Sequence, residues 1–307
     1  MILEGFFNLD KNPFHIHPNV EFYCELKPHE EALNMVLYAL SNHDSLIKVT
    51  GDIGLGKSIV ASCLRNRLVE QEHYHVCEIR NPNLTTVELL QSVLRQLAGN
   101  EVAIHSSSSE SLLSDLEHNL IRYREDKKRV ALIIDEAQAM EDSLLETLRL
   151  LTNLEYDSKP LLQMVLFGQD ELDIKLNQHK FRQLKQRICF AYKVRPLNGN
   201  EVSTYVQHRL YIAGSNHRQI FTEAALKILA KNTQGIPRNI NIIAHKAMLF
   251  AASANTYQVS HLNVVSALKE HSLYSWLDID WKKMAVATLF LINLTLIMAY
   301  TLHSFNK

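Results

Sequence analysis

In the first two thirds of the chain, two kinds of segment alternate, which differ in the spacing of their hydrophobic residues. Short apolar runs rich in β-branched residues are typical of buried strands, and five of them occur, at 45–49, 75–79, 130–135, 161–167 and 191–194. Longer stretches with apolar residues three and four positions apart predict helices between them, at 59–70, 87–98 and 111–124. This alternation predicts an α/β domain over residues 1–195 with a central, parallel, five-stranded sheet.

The pattern changes after residue 195. Only helical spacing remains, in four segments, at 201–213, 222–232, 236–254 and 259–269. Thr222 opens one of these segments, ahead of Glu223, where an N-cap residue is expected. We therefore predict a small all-helical domain over 196–272.

The C-terminal residues form a third kind of segment. From 284 to 302 no residue is charged, and a helix of about 20 apolar residues is long enough to cross the hydrocarbon core of a membrane. Basic and aromatic residues lie near the ends of the run, as at membrane interfaces: Trp276, Trp281, Lys282, Lys283 and Tyr300. We predict a juxtamembrane linker over 273–283, a transmembrane helix over 284–303 and a short tail, 304–307. A buried C-terminal core helix is the alternative.

Charge and cysteine content indicate which partners and which compartment to expect. The formal net charge of −1 provides no overall basic field, so nucleic acid is not expected as a partner. The 4 cysteines are widely spaced in the sequence, which favours reduced thiols in a cytosolic compartment. The N-terminus lacks a basic start followed by an apolar run, so we expect no signal peptide.

A glycine-rich loop lies between the first predicted strand and the helix that follows it. It reads GDIGLGKS and matches the phosphate-loop pattern G-x-x-x-x-G-K-[ST]. In such loops backbone N–H groups surround phosphate oxygens, the lysine reaches the β- and γ-phosphates and the hydroxyl coordinates Mg²⁺. The predicted nucleotide-binding residues are Gly51, Asp52, Ile53, Gly54, Leu55, Gly56, Lys57, Ser58 and Ile59. A glycine turn without a ligand is the alternative.

Asp135 is the last residue of the most apolar predicted strand and Glu136 follows it, at the sheet edge where ligands of open α/β folds bind. Asp135 is therefore predicted to bind Mg²⁺ together with Ser58. Glu136 is predicted to orient and deprotonate the attacking water, which makes it the candidate base for hydrolysis. An aspartate that only caps the next helix is the alternative.

Phosphoryl transfer also requires positive charge near the transferred group. Arg187 precedes the fifth predicted strand, and Arg238 opens a helix of the second domain. Either could instead be an ordinary surface arginine.

Taken together, the motifs resemble those of AAA+ ATPases. They are Gly51–Ser58, Ile134–Gln138, Leu166–Gln169, Gln186–Ile188 and Gly235–Arg238. The chain particularly resembles the ExeA/GspA group of type II secretion and the MshM proteins of mannose-sensitive haemagglutinin (MSHA) pilus biogenesis. The N-terminal segments Phe6–Leu9 and Asn12–Phe14, with Tyr23 and Glu30–Leu33, resemble that group as well.

The resemblance implies a P-loop AAA+ three-layer sandwich followed by a helical lid, with ATP and Mg²⁺ bound. It implies that Gln169 senses the γ-phosphate, although this side chain could simply form a hydrogen bond in the core. Arg187 would be an arginine finger that acts on the ATP of a neighbouring subunit, which requires a homo-oligomer. Arg238 would be the lid arginine, and Lys57 would act in catalysis as well as in binding.

The expected function is that of an ATPase tethered by one helix to the bacterial inner membrane, with its ATPase domain in the cytoplasm. It would drive assembly of an MSHA-like type IV pilus or a type II secretion complex through partner proteins at that membrane. ExeA-type proteins carry a peptidoglycan-binding region after the membrane helix, and only 303–307 remain here, which favours the pilus branch. The alternatives are a DNA-associated AAA+ ATPase of the transposition-regulator or initiator type, and an ATP-bound scaffold without turnover.

Overall fold

The computed structural model describes residues 2–17, 19–98, 108–216 and 218–277. The predicted transmembrane helix, the tail and the linker from residue 278 onward lie outside these residues. Within them, no helix is both long and apolar enough to cross a membrane.

Seven strands, arranged in two sheets, lie within the part of the chain that the structure describes. The large sheet contains β1 (Leu46–Thr50), β2 (Tyr74–Ile79), β3 (Arg129–Ile134), β6 (Leu162–Gly168) and β7 (Ile188–Lys193), in the order β2-β3-β6-β1-β7. All of its pairings are parallel, which confirms the predicted five-stranded parallel sheet. A small antiparallel hairpin, β4 (Glu155–Tyr156) with β5 (Lys159–Pro160), precedes β6 and was not expected from the sequence pattern.

Among the described residues, twelve α-helices accompany the strands. Those before β7 are α1 (Ile2–Phe7), α2 (Lys27–Ser41), α3 (Lys57–Val69), α4 (Thr86–Ala98), α5 (Ser109–Glu125), α6 (Asp142–Leu151), α7 (Asp170–Leu176) and α8 (Arg182–Gln186). Those after it are α9 (Gly199–Ile212), α10 (Glu223–Asn232), α11 (Pro237–Ser253) and α12 (His261–Leu277). The Thr222 hydroxyl accepts a hydrogen bond from the Ala225 N–H, so Thr222 is the N-cap of α10.

The large sheet lies between two layers of helices. Successive side chains of a strand point to opposite faces, so Leu132 and Ile134 pack with helices α4 to α8, whereas Ala131 and Ile133 pack with α2 and α3. β3 is buried on both faces, as a central strand of a parallel sheet must be. The edge strand β7 is half-buried only at alternate positions. Because only one face of β7 is covered, its apolar run is weak, and the sequence pattern placed its start at 191 rather than at Ile188.

Helices α9 to α12 enclose a separate hydrophobic core. The N-terminal segment, residues 2–26, contributes several buried side chains to this core: Leu3, Phe7, Leu9, Phe14, Phe22, Cys24 and Leu26. This segment therefore packs against the helical domain, although it precedes the α/β domain in the sequence. The division at residue 195 remains a prediction.

Candidate nucleotide-binding site

The glycine-rich loop connects β1 to α3 at the carboxyl edge of the large sheet. Gly54 and Gly56 have φ values of 83° and 93°, in the left-handed region that favours glycine. A Cβ atom on Gly54 would lie 2.7 Å from the Cβ of Arg238, and one on Gly56 would lie 2.9 Å from Nε2 of His29. Both positions are therefore restricted to glycine, and the loop packs directly against α11 on one side and α2 on the other.

Lys57 begins α3 and its side chain is buried. Its ammonium donates hydrogen bonds to the Gly51 carbonyl at 2.7 Å and to the Asp52 carbonyl at 2.8 Å. Burial lowers the pKa of Lys57, while the nearby carboxylates of Glu136 and Asp135 act in the opposite direction. The ammonium is thus held within the loop, next to the two carboxylates that follow β3.

Asp135 extends the pairing of β3, because its N–H donates to the Ile79 carbonyl at 2.9 Å. Burial raises the pKa of Asp135, and a hydrogen bond with the Ser58 side chain lowers it in part. The two predicted metal ligands, Ser58 and Asp135, are therefore in contact. Within the described residues no group of three or more His, Cys, Asp or Glu could hold a metal by itself. This donor set fits Mg²⁺, which usually takes one or two protein oxygens together with substrate phosphates.

Glu136 has a strained backbone, with φ 53° and ψ 36°. A non-glycine residue in this left-handed conformation costs of order 1–3 kcal/mol, so the surrounding contacts must maintain it. Its N–H donates to Oδ1 of Asp135 at 2.9 Å, and its carboxylate accepts from the side-chain amides of Gln138 and Gln169, the latter at 3.1 Å. The candidate base and the predicted γ-phosphate sensor are thus hydrogen-bonded to each other.

A pocket of about 390 Å³ lies between the loop and the helical domain. Most of the predicted site residues line it: Ile53, Gly54, Gly56, Lys57, Ser58, Ile59, Glu136, Gln169 and Arg238. The Arg238 N–H donates to the Gly54 carbonyl at 3.2 Å, which joins α11 to the loop. Leu55 is buried beneath the loop, where its carbonyl accepts from His29.

Arg187 lies elsewhere. It is exposed at the end of α8, its guanidinium donates to Asn153 at 2.8 Å, and it is not among the residues that line the pocket. The structure therefore brings together all of the predicted site except this arginine.

Sequence reasoning missed one wall of the pocket. The N-terminal segment and the helical domain supply it, with His15, Ile16, His17, Asn19, Phe22, Tyr23, Cys24, Tyr205, Arg209 and Asn241. The N-terminal motifs were part of the family resemblance, but nothing in their chemistry pointed to a ligand.

The glycine-rich loop after the first sheet strand, the carboxylate pair after β3 and the helical domain behind the pocket together define an AAA+ ATPase fold. Residues 40–176 match the family model described as an AAA domain. Over 269 residues the chain is 38% identical to the General secretion pathway protein A of Aeromonas hydrophila, an alignment that covers 87% of this chain and 48% of that protein. The chain thus contains an AAA domain and is related to General secretion pathway protein A, of which it spans about half the length. The resemblance to the ExeA/GspA group indicated by the motifs is confirmed.

Solved structures share the fold. The chain matches the ORC2 protein of Aeropyrum pernix with a TM-score of 0.62 at 18% identity, over 85% of this chain and 72% of that one. It matches Cdc6p of Pyrobaculum aerophilum with a TM-score of 0.64 at 16% identity, over 87% and 70%. For the RuvB branch migration motor of Thermotoga maritima the TM-score is 0.53 at 15% identity, over 84% and 73%. At these identities the matches show the fold alone.

Proposed function

We propose that this protein binds ATP with Mg²⁺ in the pocket beside Gly51–Ser58 and hydrolyses it to ADP and phosphate. The observation that carries the proposal is the Glu136 carboxylate, which lines the same pocket as Lys57 and Ser58. An ATP-bound scaffold would not need a carboxylate base at this position. Hydrolysis needs a group that orients water and accepts its proton, and Glu136 is the group available.

Each residue then has a distinct role in the reaction. Lys57 and the loop N–H groups bind the β- and γ-phosphates, and Ser58 and Asp135 would hold Mg²⁺, which would supply positive charge to the phosphate oxygens. Glu136 accepts a proton from the attacking water as the water oxygen bonds to the γ-phosphorus and the bond to the β-phosphate oxygen breaks. Gln169 contacts the γ-phosphate and Arg238 reports nucleotide state from the lid. Arg187 supplies positive charge to the site of a neighbouring subunit.

Two substitutions test the site. We expect Lys57→Ala to abolish nucleotide binding, because it removes the positive charge from the loop. We expect Glu136→Gln to bind ATP and remain oligomeric while turnover falls by roughly 10²–10⁴-fold, the usual contribution of a general base. Steady-state phosphate release and binding of a fluorescent ATP analogue measure the two effects. Turnover of Glu136→Gln at the wild-type rate would show that the assigned base is wrong.

We further propose that the ATPase is tethered to the bacterial inner membrane by residues 284–303 and drives assembly of an MSHA-like type IV pilus or a type II secretion complex. The relationship to General secretion pathway protein A supports a secretion-type role. The uncharged run of 284–302 supports the tether. ATP-driven rearrangement of a homo-oligomer would be transmitted to partner proteins at the membrane. Copurification of the full chain with inner-membrane secretion or pilus components tests this role.

DNA binding is the second candidate. Structures of similar fold include the ORC1 protein of Aeropyrum pernix in complex with DNA, which matches with a TM-score of 0.60 at 16% identity. The formal net charge of −1 disfavours a phosphate-binding surface. Affinity for duplex DNA that falls steeply with added salt would favour this candidate over the membrane role.

A further inference from the structure

The side chain of Gln138 connects the two parts of the site that the proposed reaction must coordinate. Gln138 lies in the short 3₁₀ helix Ala137–Ala139, directly after the carboxylate pair. Its amide NH₂ donates to Oε2 of Glu136, and its amide oxygen accepts from the Gln169 backbone N–H at 3.0 Å. One side chain thus joins the candidate base after β3 to the end of β6.

Both ends of this amide are engaged in hydrogen bonds, and the segment around it is held in place as well. The amide packs against the end of β6, since a Cβ atom on Gly168, the last residue of that strand, would lie 3.4 Å from the Gln138 amide oxygen. The Lys175 ammonium donates to the backbone carbonyls of Gln138 and Met140, so α7 is hydrogen-bonded to the segment that contains the short helix. The Gln138 amide therefore has little freedom to turn away from Glu136.

The hydrogen bonds also distinguish the two oxygens of Glu136. The amides of Gln138 and Gln169 both donate to Oε2, so Oε1 is the oxygen left for a water molecule. Hydrogen bonds to one oxygen of a carboxylate fix the plane and the direction of the other. A base must lie within hydrogen-bond reach of the proton that it removes, so this orientation matters for the rate.

We propose that Gln138 is a positioning residue that holds the Glu136 carboxylate for catalysis and couples it to Gln169. The inference rests on the hydrolytic function proposed above. Gln138 acts through Glu136. A merely structural role is the competing explanation, in which loss of the amide lowers stability without changing the chemical step.

Gln96 provides a matched control. Its amide also has both ends engaged, with the oxygen accepting from the Glu78 N–H at 2.8 Å and the NH₂ donating to the Glu78 carbonyl at 3.2 Å. Gln96 is half-buried like Gln138 but lies on α4, outside the pocket lining. Gln96→Ala therefore reports the cost of losing such an amide away from the site.

The experiment compares Gln138→Ala, Gln138→Glu and Gln96→Ala in the full chain. We expect Gln138→Ala to lower kcat about 10- to 100-fold, the range for a misplaced catalytic group, and to leave the affinity for a fluorescent ATP analogue within about twofold. We expect Gln96→Ala to keep the wild-type kcat. Wild-type kcat in Gln138→Ala, or an equal loss of kcat in Gln96→Ala, would overturn the inference.

Gln138→Glu provides a second readout that a structural role would not change. Its carboxylate meets that of Glu136, and two carboxylates at one site raise the pKa at which one of them ionises. The charges of Lys57, Asp135 and Lys175 are unchanged, so we expect the acid limb of the kcat profile to move to higher pH than in the wild type. An unmoved limb contradicts the inference.

The failure of this inference can be distinguished from the failure of the proposed function. If Glu136→Gln loses turnover while Gln138→Ala does not, only the inference about Gln138 fails. Turnover of Glu136→Gln at the wild-type rate overturns both proposals.

Discussion

The glycine-rich loop packs against the side chain of His29. This side chain is 4% exposed, and its Nε2–H donates to the Leu55 carbonyl at 2.7 Å. The ring also occupies the space next to Gly56. Burial lowers the pKa of His29 below its ordinary value of 6.5, and the hydrogen bond to Leu55 opposes this shift only in part. His29 is thus a neutral support for the loop.

This lowered pKa leads to a prediction on stability. Below pH 6.5 the unfolded chain protonates His29 before the folded chain does, so the stabilisation is complete above that pH and is lost as the pH falls. The loss is at most about 1.4 kcal/mol per pH unit for one proton. We expect His29→Gln, which can still donate to Leu55, to lose less stability than the wild type between pH 7.5 and 5.5. Urea unfolding at both values measures the difference.

The exposed histidine His73 gives the control. We expect His73→Gln to follow the wild-type dependence on pH. If His29→Gln loses as much stability as the wild type on acidification, burial of a neutral His29 is not a source of acid sensitivity.

The N-terminal segment, residues 2–26, precedes the α/β domain in the sequence but packs against the helical domain. It is held to the helical domain by Arg209 of α9, a buried arginine whose guanidinium donates to the Pro13 carbonyl and, at 3.4 Å, to that of His15. The guanidinium also lies 4.9 Å from the centre of the Phe22 ring, in the range of a cation–π contact. These contacts position a segment that forms one wall of the pocket.

We therefore expect Arg209→Met to release this wall. The substitution keeps much of the apolar volume but removes the donor of the buried Pro13 carbonyl, at a cost of about 1–3 kcal/mol for such an unpaired group. We expect faster cleavage of residues 8–24 in limited proteolysis and weaker binding of an ATP analogue. Arg218→Met is the control, because Arg218 contacts the same segment through the Asn8 carbonyl at 2.8 Å but is exposed. Equal effects of the two substitutions would contradict the role of Arg209.

Much of the α/β architecture could be predicted because the information is local. β3 and β6 are mostly apolar runs, and the glycine-rich loop after β1 and the carboxylate pair after β3 are contiguous motifs. The helices α7 and α8, of 7 and 5 residues, are too short for a helical period to be recognised.

The wall of the pocket that the N-terminal segment and the helical domain form could not be predicted, for a different reason. Arg209 and Pro13 are separated by 196 positions, and α9 taken alone presents Arg209 as one more polar residue. Only tertiary packing shows that it is buried. The hydrogen bonds of Gln138 likewise depend on β3 and β6 being neighbours in the sheet, whereas the sequence predicts the strands without their order.

At the scale of the whole molecule, the proposed tether makes a separable prediction. We expect the full chain to sediment with membranes and a chain that ends at Asp280 to remain in the soluble fraction, because the uncharged run is then missing. Fractionation of cells that express each form, followed by immunoblotting, measures this. The truncated form should still bind the ATP analogue, which controls for misfolding. Equal fractionation of the two forms would exclude the tether.

The proposed oligomer depends on Arg187, which is exposed and lies away from the pocket of its own chain. An arginine finger contributes about 10³–10⁵ in kcat, so we expect Arg187→Ala alone to have almost no turnover. Arg182 is an exposed arginine at the start of α8, the helix that ends just before Arg187. We expect Arg182→Ala to retain wild-type turnover.

Mixing two inactive proteins distinguishes action on a neighbour from action within one chain. A subunit with Arg187→Ala keeps Glu136, and a subunit with Glu136→Gln keeps Arg187. In an equimolar mixed ring about a quarter of the head-to-tail interfaces combine an intact base with an intact arginine from the neighbour. We expect phosphate release to reappear in the mixture at up to that fraction of the wild-type rate. If Arg187 acted on its own ATP, or if the chain worked as a monomer, no interface would be complete and the mixture would remain as inactive as its components.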